Sequence, residues 1–167
     1  QLLDLAKQHE QKSLVLTDIN NTSACLNFVR EAELASIKPV LGIDFRNGAK
    51  QQFIGIAKNN QGFEELNRYL SSFLHQTAVE QSRLTNFPKR APEFDQAFVI
   101  YPFERFRHQF IGLKENEFIG ISMEQLKHLP FSPWRGVASF LCSCASVLQR
   151  QPFSSLLAPH ATLRVQT

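Results

Sequence analysis

Cysteine is scarce in this chain, and its few positions follow no disulfide pattern. Cys25, Cys142 and Cys144 are too few and too unevenly spaced for a disulfide framework, which indicates a reduced, cytoplasmic setting. No stretch approaches the roughly 18 consecutive apolar residues that a membrane helix needs. The first residues carry charges such as Asp4 and Lys7 in an amphipathic pattern, which argues against a signal peptide. We therefore expect no membrane association.

The common motifs of phosphate binding and nucleophilic catalysis are also missing. We find no Walker pattern, no G-x-G-x-x-G and no G-x-S-x-G elbow, so we predict neither catalytic nor cofactor-binding residues from motifs. Cys142-Ser143-Cys144 has no second Cys or His pair and is incidental. The histidines have no partner at metal-ligand spacing, and we expect them at the surface: His9, His75, His108, His128 and His160.

Acidic and basic residues nearly balance over most of the chain. Residues 1–135 carry 16 basic and 15 acidic residues, so the total charge of +3 and the pI of about 8.9 do not indicate a nucleic-acid-binding surface. Residues 136–167 hold only Arg150 and Arg164 and no acid. This tail is either a buried final strand with a loose end or a segment that is not the native continuation, for instance out of frame.

The hydrophobic periodicity alternates between helix and strand. Short apolar runs predict strands at residues 13–17, 38–45, 52–57, 97–101 and 117–121. Asn47-Gly48 predicts a hairpin between the second and third strands. Amphipathic spacing predicts helices at residues 1–10, 22–34 and 63–74, a Ser122/Gln125 capping box predicts a short helix to Leu129, and residues 75–96 are predicted as a surface connection. We expect an α/β fold with mainly parallel strands and one inserted hairpin.

Two carboxylates stand near the ends of the first two predicted strands. Asp18 follows residues 13–17, and Asp44 comes near the end of residues 38–45. Ligands gather at the carboxyl ends of strands in α/β sheets, so the pair could hold a divalent metal ion. The alternative is that Asp18 caps the following turn and helix and that Asp44 is an ordinary edge residue.

Residues 101–107 (YPFERFR) interleave aromatic and basic side chains. That pattern suits base stacking with nucleic acid. It equally suits a surface helix whose arginines extend along apolar surface.

The amino-acid sequences of several segments resemble those of a known protein family. They resemble the PHP (polymerase and histidinol phosphatase) domain, more narrowly the one at the start of the alpha subunit of bacterial DNA polymerase III. The resemblance covers residues 1–135 and is carried by residues 6–9 (AKQH), 13–21 (SLVLTDINN), 37–45 (IKPVLGIDF), 54–60 (IGIAKNN), 62–63, 65–67, 99–102 and 117–121.

This resemblance implies a fold and a metal site. The family fold is a distorted (β/α)7 barrel with divalent metals at the strand ends, and this chain would be a partial one that lacks the first strand and its His-x-His pair. The chain does not begin with Met, which agrees with a missing beginning. Asp18 matches the aspartate of the family's Thr-Asp-His motif, Ile19 replaces its histidine, and Asp44 stands where the family has glutamate. Isoleucine has no lone pair for a metal, so the resemblance implies a degenerate site.

The expected function follows from that degenerate site. Residues 1–135 would be a structural platform packed against the rest of a DNA polymerase III alpha subunit, and 136–167 the atypical tail. The parent would use Mg²⁺ for DNA synthesis and meet DNA and replisome subunits, while this chain alone would be inactive, with no cofactor, and poorly stable. The alternatives are a metal-dependent phosphoesterase of the same superfamily and a non-catalytic binding module that uses its 15 phenylalanines.

Overall fold

In the part of the chain that the structure describes, six strands and five α-helices form a mixed α/β fold. The computed structural model describes residues 2–79, 86–134 and 140–142. The elements in chain order are α1 (Leu2–Gln8), β1 (Ser13–Ile19), α2 (Cys25–Leu34), β2 (Lys38–Asn47), β3 (Lys50–Ala57), α3 (Asn60–Val79), β4 (Ala97–Pro102), α4 (Phe103–Phe106), β5 (Glu117–Ile121), α5 (Met123–Leu126), a 3₁₀ turn (Leu129–Phe131) and β6 (Phe140–Cys142).

The strands form one open sheet whose order follows the chain, β1 to β6. The β1–β2, β4–β5 and β5–β6 pairings are parallel, and β3 is antiparallel to both of its neighbours. The predicted mainly parallel sheet with an inserted hairpin is therefore confirmed. Gly48 turns the β2–β3 hairpin with a positive φ of 58°, a conformation that glycine adopts without steric cost.

One face of the sheet carries two hydrophobic clusters under the helices. The smaller cluster packs α1 and α2 on β1 and β2, with Ala32 and Ile37 at its centre. The larger cluster packs α3 on β2, β3 and β4 and is rich in aromatic rings; Phe45 and Phe53 lie 4.7 Å apart between ring centroids. Leu66 of α3 occupies the space left by Gly55, where a Cβ would run into the leucine side chain. The bulk of the core thus lies between α3 and the hairpin strands.

The segment between α3 and β4 departs from the prediction. Helix α3 extends to Val79 instead of ending near residue 74. Residues 86–96 are not merely a surface connection, because Phe87 and Phe94 are buried in the larger cluster. Asn47 holds this segment through two hydrogen bonds to the Phe87 backbone, at 2.9 and 2.8 Å. The sequence analysis missed this packing because the segment is mostly polar. Two buried rings suffice to attach it to the core.

The region after β5 contains the expected capping box. The Ser122 N–H donates to the Gln125 side-chain oxygen at 2.9 Å, and α5 begins there. The predicted helix is too long, however, because α5 ends at Leu126 and a separate 3₁₀ turn containing Pro130 follows. Trp134 is fully buried and donates its indole N–H to the Phe106 carbonyl at 2.7 Å. The larger core therefore reaches at least to Trp134.

A strand lies within the low-charge tail. Strand β6 pairs in parallel with β5, with Phe140 opposite Ile119. The other residues of the tail, including Ser143 and Cys144, lie outside the described residues. The alternative origins of residues 136–167 stay open as predictions.

Among the described helices, none has the length and apolar character that crossing a bilayer requires.

Candidate functional site at the carboxyl edge of the sheet

The ends of five parallel strands meet at one edge of the sheet. Because β3 is antiparallel to both β2 and β4, strands β1, β2, β4, β5 and β6 all run in one direction. Their carboxyl ends share this edge with the β2–β3 turn and with α4, which follows β4. Ligands of α/β sheets bind outside such an edge, so we call it the carboxyl edge and take it as the candidate site.

Asp44 is the buried carboxylate at the carboxyl edge. It is 5% exposed, and both of its oxygens accept hydrogen bonds. Arg46 donates to Oδ2 from Nε at 2.9 Å and from Nη2 at 2.6 Å, and the Gln51 side-chain amide lies 3.0 Å from each oxygen. The carboxylate raises the pKa of the Arg46 guanidinium above its ordinary value. Asp44 therefore already has a cation and an amide as its partners.

The loop after β1 holds the backbone of Arg46. Asn20 has a positive φ of 51°, which asparagine tolerates better than most residues. Its side-chain amide donates to the Arg46 carbonyl, and its oxygen accepts from the Arg46 N–H, both at 2.8 Å. The β2–β3 register shifts between Phe45 and Arg46 at this point. The ion pair of Arg46 and Asp44 is thus anchored from the neighbouring strand.

The structure does not bring Asp18 and Asp44 onto one face of the sheet. In the parallel β1–β2 register, Asp18 pairs with Ile43 and Ile19 pairs with Asp44. Since successive side chains alternate between faces, Asp18 lies on the helix-covered face and Asp44 on the other. Asp18 accepts a hydrogen bond from the Ala24 N–H at 3.1 Å, next to the start of α2. Burial, with Asp18 as a smaller contribution, raises the pKa of the Cys25 thiol.

Ile19 shares the face of Asp44 and stands beside it. Its side chain is half exposed, at 50%. The two positions at which the resemblance predicts a histidine and a glutamate ligand are therefore neighbours, but they hold an isoleucine and an aspartate paired with arginine. Within the described part of the chain, no group of three His, Cys, Asp or Glu side chains is arranged to hold a metal ion.

The interleaved segment at residues 101–107 is largely core. Tyr101, Phe103 and Phe106 are buried, so they have no ring face available for stacking on a base. The base-stacking interpretation is wrong for these rings. Their neighbours Arg105 and Arg107 reach a backbone carbonyl and the His128 ring, respectively.

Sequence reasoning missed Arg46 and Gln51, the two partners of Asp44. Two-residue alternation along β2 places Arg46 on the same face as Asp44, so a strand-based pattern could have identified that pair. Gln51 comes from the opposing strand β3, and only the hairpin register shows it. The buried carboxylate of Glu117, which accepts from Tyr101, Arg90 and the Lys114 N–H, was also not singled out.

The chain matches the model of a known protein family. The family model described as "PHP domain" matches residues 1–117, which is more than half of the chain. No curated protein matches the chain significantly.

Proposed function

Because the chain belongs to the PHP domain family, we propose that it is a metal-free structural platform of a replicative DNA polymerase, the alpha subunit of bacterial DNA polymerase III. The observation that carries the metal-free part is the Asp44–Arg46 pair. In a metal site, the metal cation would compensate the negative charge of the Asp44 carboxylate. Here the guanidinium of Arg46 compensates that buried negative charge.

The side chains present do not fit the divalent metals of the family. A metal at Asp44 would have to displace both Arg46 and Gln51, and Ile19 beside it offers no donor atom. Asp18 lies on the other face and caps a backbone N–H. Hard divalent cations need several oxygen or nitrogen donors converging on one point. We therefore propose no hydrolytic step for this chain.

The polymerase assignment rests on the resemblance of the segments around β1, β2 and the β3–α3 unit. The topology is compatible with part of a distorted (β/α)7 barrel, since an open, mainly parallel sheet has helices over one face. Helix α2 also exposes two leucines, Leu26 at 79% and Leu34 at 86%. Exposed apolar side chains of this kind suit packing against a larger subunit, which is the partner that we propose.

One experiment tests the metal-free site. The purified chain is titrated with Zn²⁺ and Mn²⁺ by calorimetry, its metal content is measured, and hydrolysis of p-nitrophenyl phosphate is followed with each metal. We expect no stoichiometric binding and no metal-dependent hydrolysis. Stoichiometric metal binding together with hydrolysis would refute the proposal in favour of a phosphoesterase, provided that the Asp44→Asn variant loses the hydrolysis. The control variant Glu64→Gln, which removes an exposed carboxylate, should retain it.

A second experiment tests the platform role. The chain is co-expressed with a bacterial DNA polymerase III alpha subunit from which its own PHP domain has been removed. We expect the two to co-purify and primer extension to recover, and we expect the double variant Leu26→Glu/Leu34→Glu to abolish both. Phe131→Glu, at an apolar side chain that is 89% exposed outside α2, is the matched control. No complex with the wild-type chain would refute the polymerase platform.

A further inference from the structure

Two adjoining cavities at the carboxyl edge share three cationic side chains. One cavity, of about 400 Å³, lies between the β2–β3 hairpin and α4, and the other, of about 440 Å³, lies between the hairpin and residues 86–89. Lys50, Lys89 and Arg105 line both of them. We call the combined space the basic cleft. It collects positive charge in a chain whose body is otherwise nearly neutral.

The charge in the basic cleft has little compensation. Among the described residues, no carboxylate forms an ion pair with any of the three cations. Glu104 lines the first cavity, where its carboxylate accepts from the Gln125 amide at 3.3 Å. Among the described residues, no acidic side chain lines the second cavity. The three cations therefore outnumber the described acidic residues of the cleft, and this excess of positive charge attracts anions.

Arg105 is the most enclosed of the three cations. It is half buried, and Nη1 donates to the Gln51 carbonyl at 3.1 Å. Partial burial lowers the pKa of the Arg105 guanidinium, because desolvation disfavours its charged form. An anion in the cleft would supply the charge partner that the described residues lack, and a guanidinium binds phosphate oxygens through two parallel hydrogen bonds.

Hydrogen bonds or core contacts hold the chain next to each of the three side chains. Lys50 begins β3, and its carbonyl accepts from the buried Gln52 amide at 2.8 Å. Lys89 follows Phe87, which Asn47 holds through two hydrogen bonds. Arg105 lies between Phe103 and Phe106, which anchor α4 in the core. Since the backbone is already positioned, binding would cost mainly the ordering of the two exposed lysine side chains.

We propose that the basic cleft binds a phosphate group, with Arg105 as its fixed anchor and Lys50 and Lys89 as mobile partners. Amide side chains also line the cleft. Asn47, Gln51 and Gln52 already donate to protein oxygens, so Asn86 and Gln109 are the lining amides that can donate to phosphate oxygens. The phosphate belongs either to a small phosphorylated molecule or to a nucleic-acid backbone. The proposal goes beyond the platform role and does not depend on the polymerase assignment.

The test compares two variants with equal net charge. Lys50→Gln/Lys89→Gln removes two cations from the basic cleft. Lys12→Gln/Lys38→Gln removes two exposed lysines at the edge of the sheet opposite the carboxyl edge. There, at the start of β2, the Lys38 N–H donates a hydrogen bond to the Lys12 carbonyl. Binding of pyrophosphate is measured by calorimetry, and binding of a fluorescein-labelled oligodeoxythymidylate by anisotropy, each at several salt concentrations. Circular dichroism checks that both variants fold like the wild-type chain.

We expect at least one of the two probes to bind the wild-type chain, and the cleft variant to bind it about tenfold more weakly while the control variant is unchanged. If the oligonucleotide is the ligand, the slope of log affinity against log salt falls by about 1.4 in the cleft variant. Pyrophosphate binding without oligonucleotide binding assigns the cleft to small phosphorylated molecules. Failure of both probes to bind, or an equal loss in both variants, would overturn the proposal.

Discussion

Replacing either tyrosine of the chain by phenylalanine removes one hydroxyl, and the two replacements should change the free energy of unfolding in opposite directions. Tyr69 and Tyr101 are the only tyrosines in the chain. The Tyr69 hydroxyl is buried, and no described residue is its hydrogen-bond partner. Burial raises the pKa of Tyr69 to about 12. The Tyr101 hydroxyl, in contrast, donates to Glu117 Oε1 at 2.9 Å and accepts from the Ala91 N–H at 3.2 Å.

The magnitudes follow from those partners. A buried hydroxyl without a hydrogen bond costs about 1–3 kcal/mol in proteins, so Tyr69→Phe should raise the free energy of unfolding by about 1 kcal/mol. The ring contacts of Tyr69 with Phe45 and Phe73 remain possible for phenylalanine. Hydrogen bonds to charged groups contribute about 1.5–3 kcal/mol. Tyr101→Phe removes the donor to the buried Glu117 carboxylate and should lower the free energy of unfolding by about 2 kcal/mol.

Urea denaturation at neutral pH measures both changes on the full chain. For a chain of this size, 1 kcal/mol corresponds to a shift of about 2–4 °C in Tm, so thermal melting provides a second measurement. The wild-type chain and both variants are compared in the same buffer, with circular dichroism and tryptophan fluorescence as probes. A loss of 1 kcal/mol or more in Tyr69→Phe would refute the reasoning, because it would mean that the hydroxyl has a partner. Equal effects at the two sites would refute it as well.

Three further outcomes follow from the same structure. Arg46→Met removes the charge partner of Asp44 and should lower the free energy of unfolding, measured in urea, by about 1–3 kcal/mol, a loss limited by the partial exposure of Arg46. The double variant Arg46→Met/Asp44→Asn should recover part of that loss, and no recovery would contradict the coupling of the two residues. Trp134→Ala should cost about 3–5 kcal/mol, whereas the exposed control Phe131→Ala should stay within about 0.5 kcal/mol; equal effects would mean that the core ends before Trp134. The free energy of unfolding should be retained below pH 10 and fall as the pH rises above it. Both tyrosines have raised pKa values in the folded chain and ionise near pH 10 when unfolded, so ionisation favours the unfolded chain. A rise in tyrosinate absorbance at 295 nm before unfolding would contradict this.

Local sequence signals predicted most elements of the fold. Apolar runs located β1 to β5, Asn47-Gly48 located the hairpin, and Ser122 with Gln125 located the start of α5. These signals depend on neighbours within a few residues, which is why they survive without tertiary information. The predictions failed at the end of α3, which the structure places at Val79, and at the polar segment that the burial of Phe87 and Phe94 attaches to the core.

The candidate site was predicted only in part. The sequence singled out Asp44 and the apolar Ile19 beside a degenerate ligand motif, but it could not tell whether Asp18 and Asp44 face each other. That depends on register, because a shift of one residue moves a side chain to the other face of the sheet. The β1–β2 register pairs Ile19 with Asp44 and leaves Asp18 on the helix-covered face.

The amino-acid sequence by itself determined the alternation of helices and strands, the hairpin and the likeness to the PHP domain. Only the tertiary structure decided that Arg46 and Gln51 pair with Asp44, and that Lys50, Lys89 and Arg105 meet in one cleft. The physical reason is distance along the chain. Lys50 and Arg105 lie 55 positions apart in the sequence, and only the antiparallel β3, which starts where β2 and β4 end, brings them to the same edge.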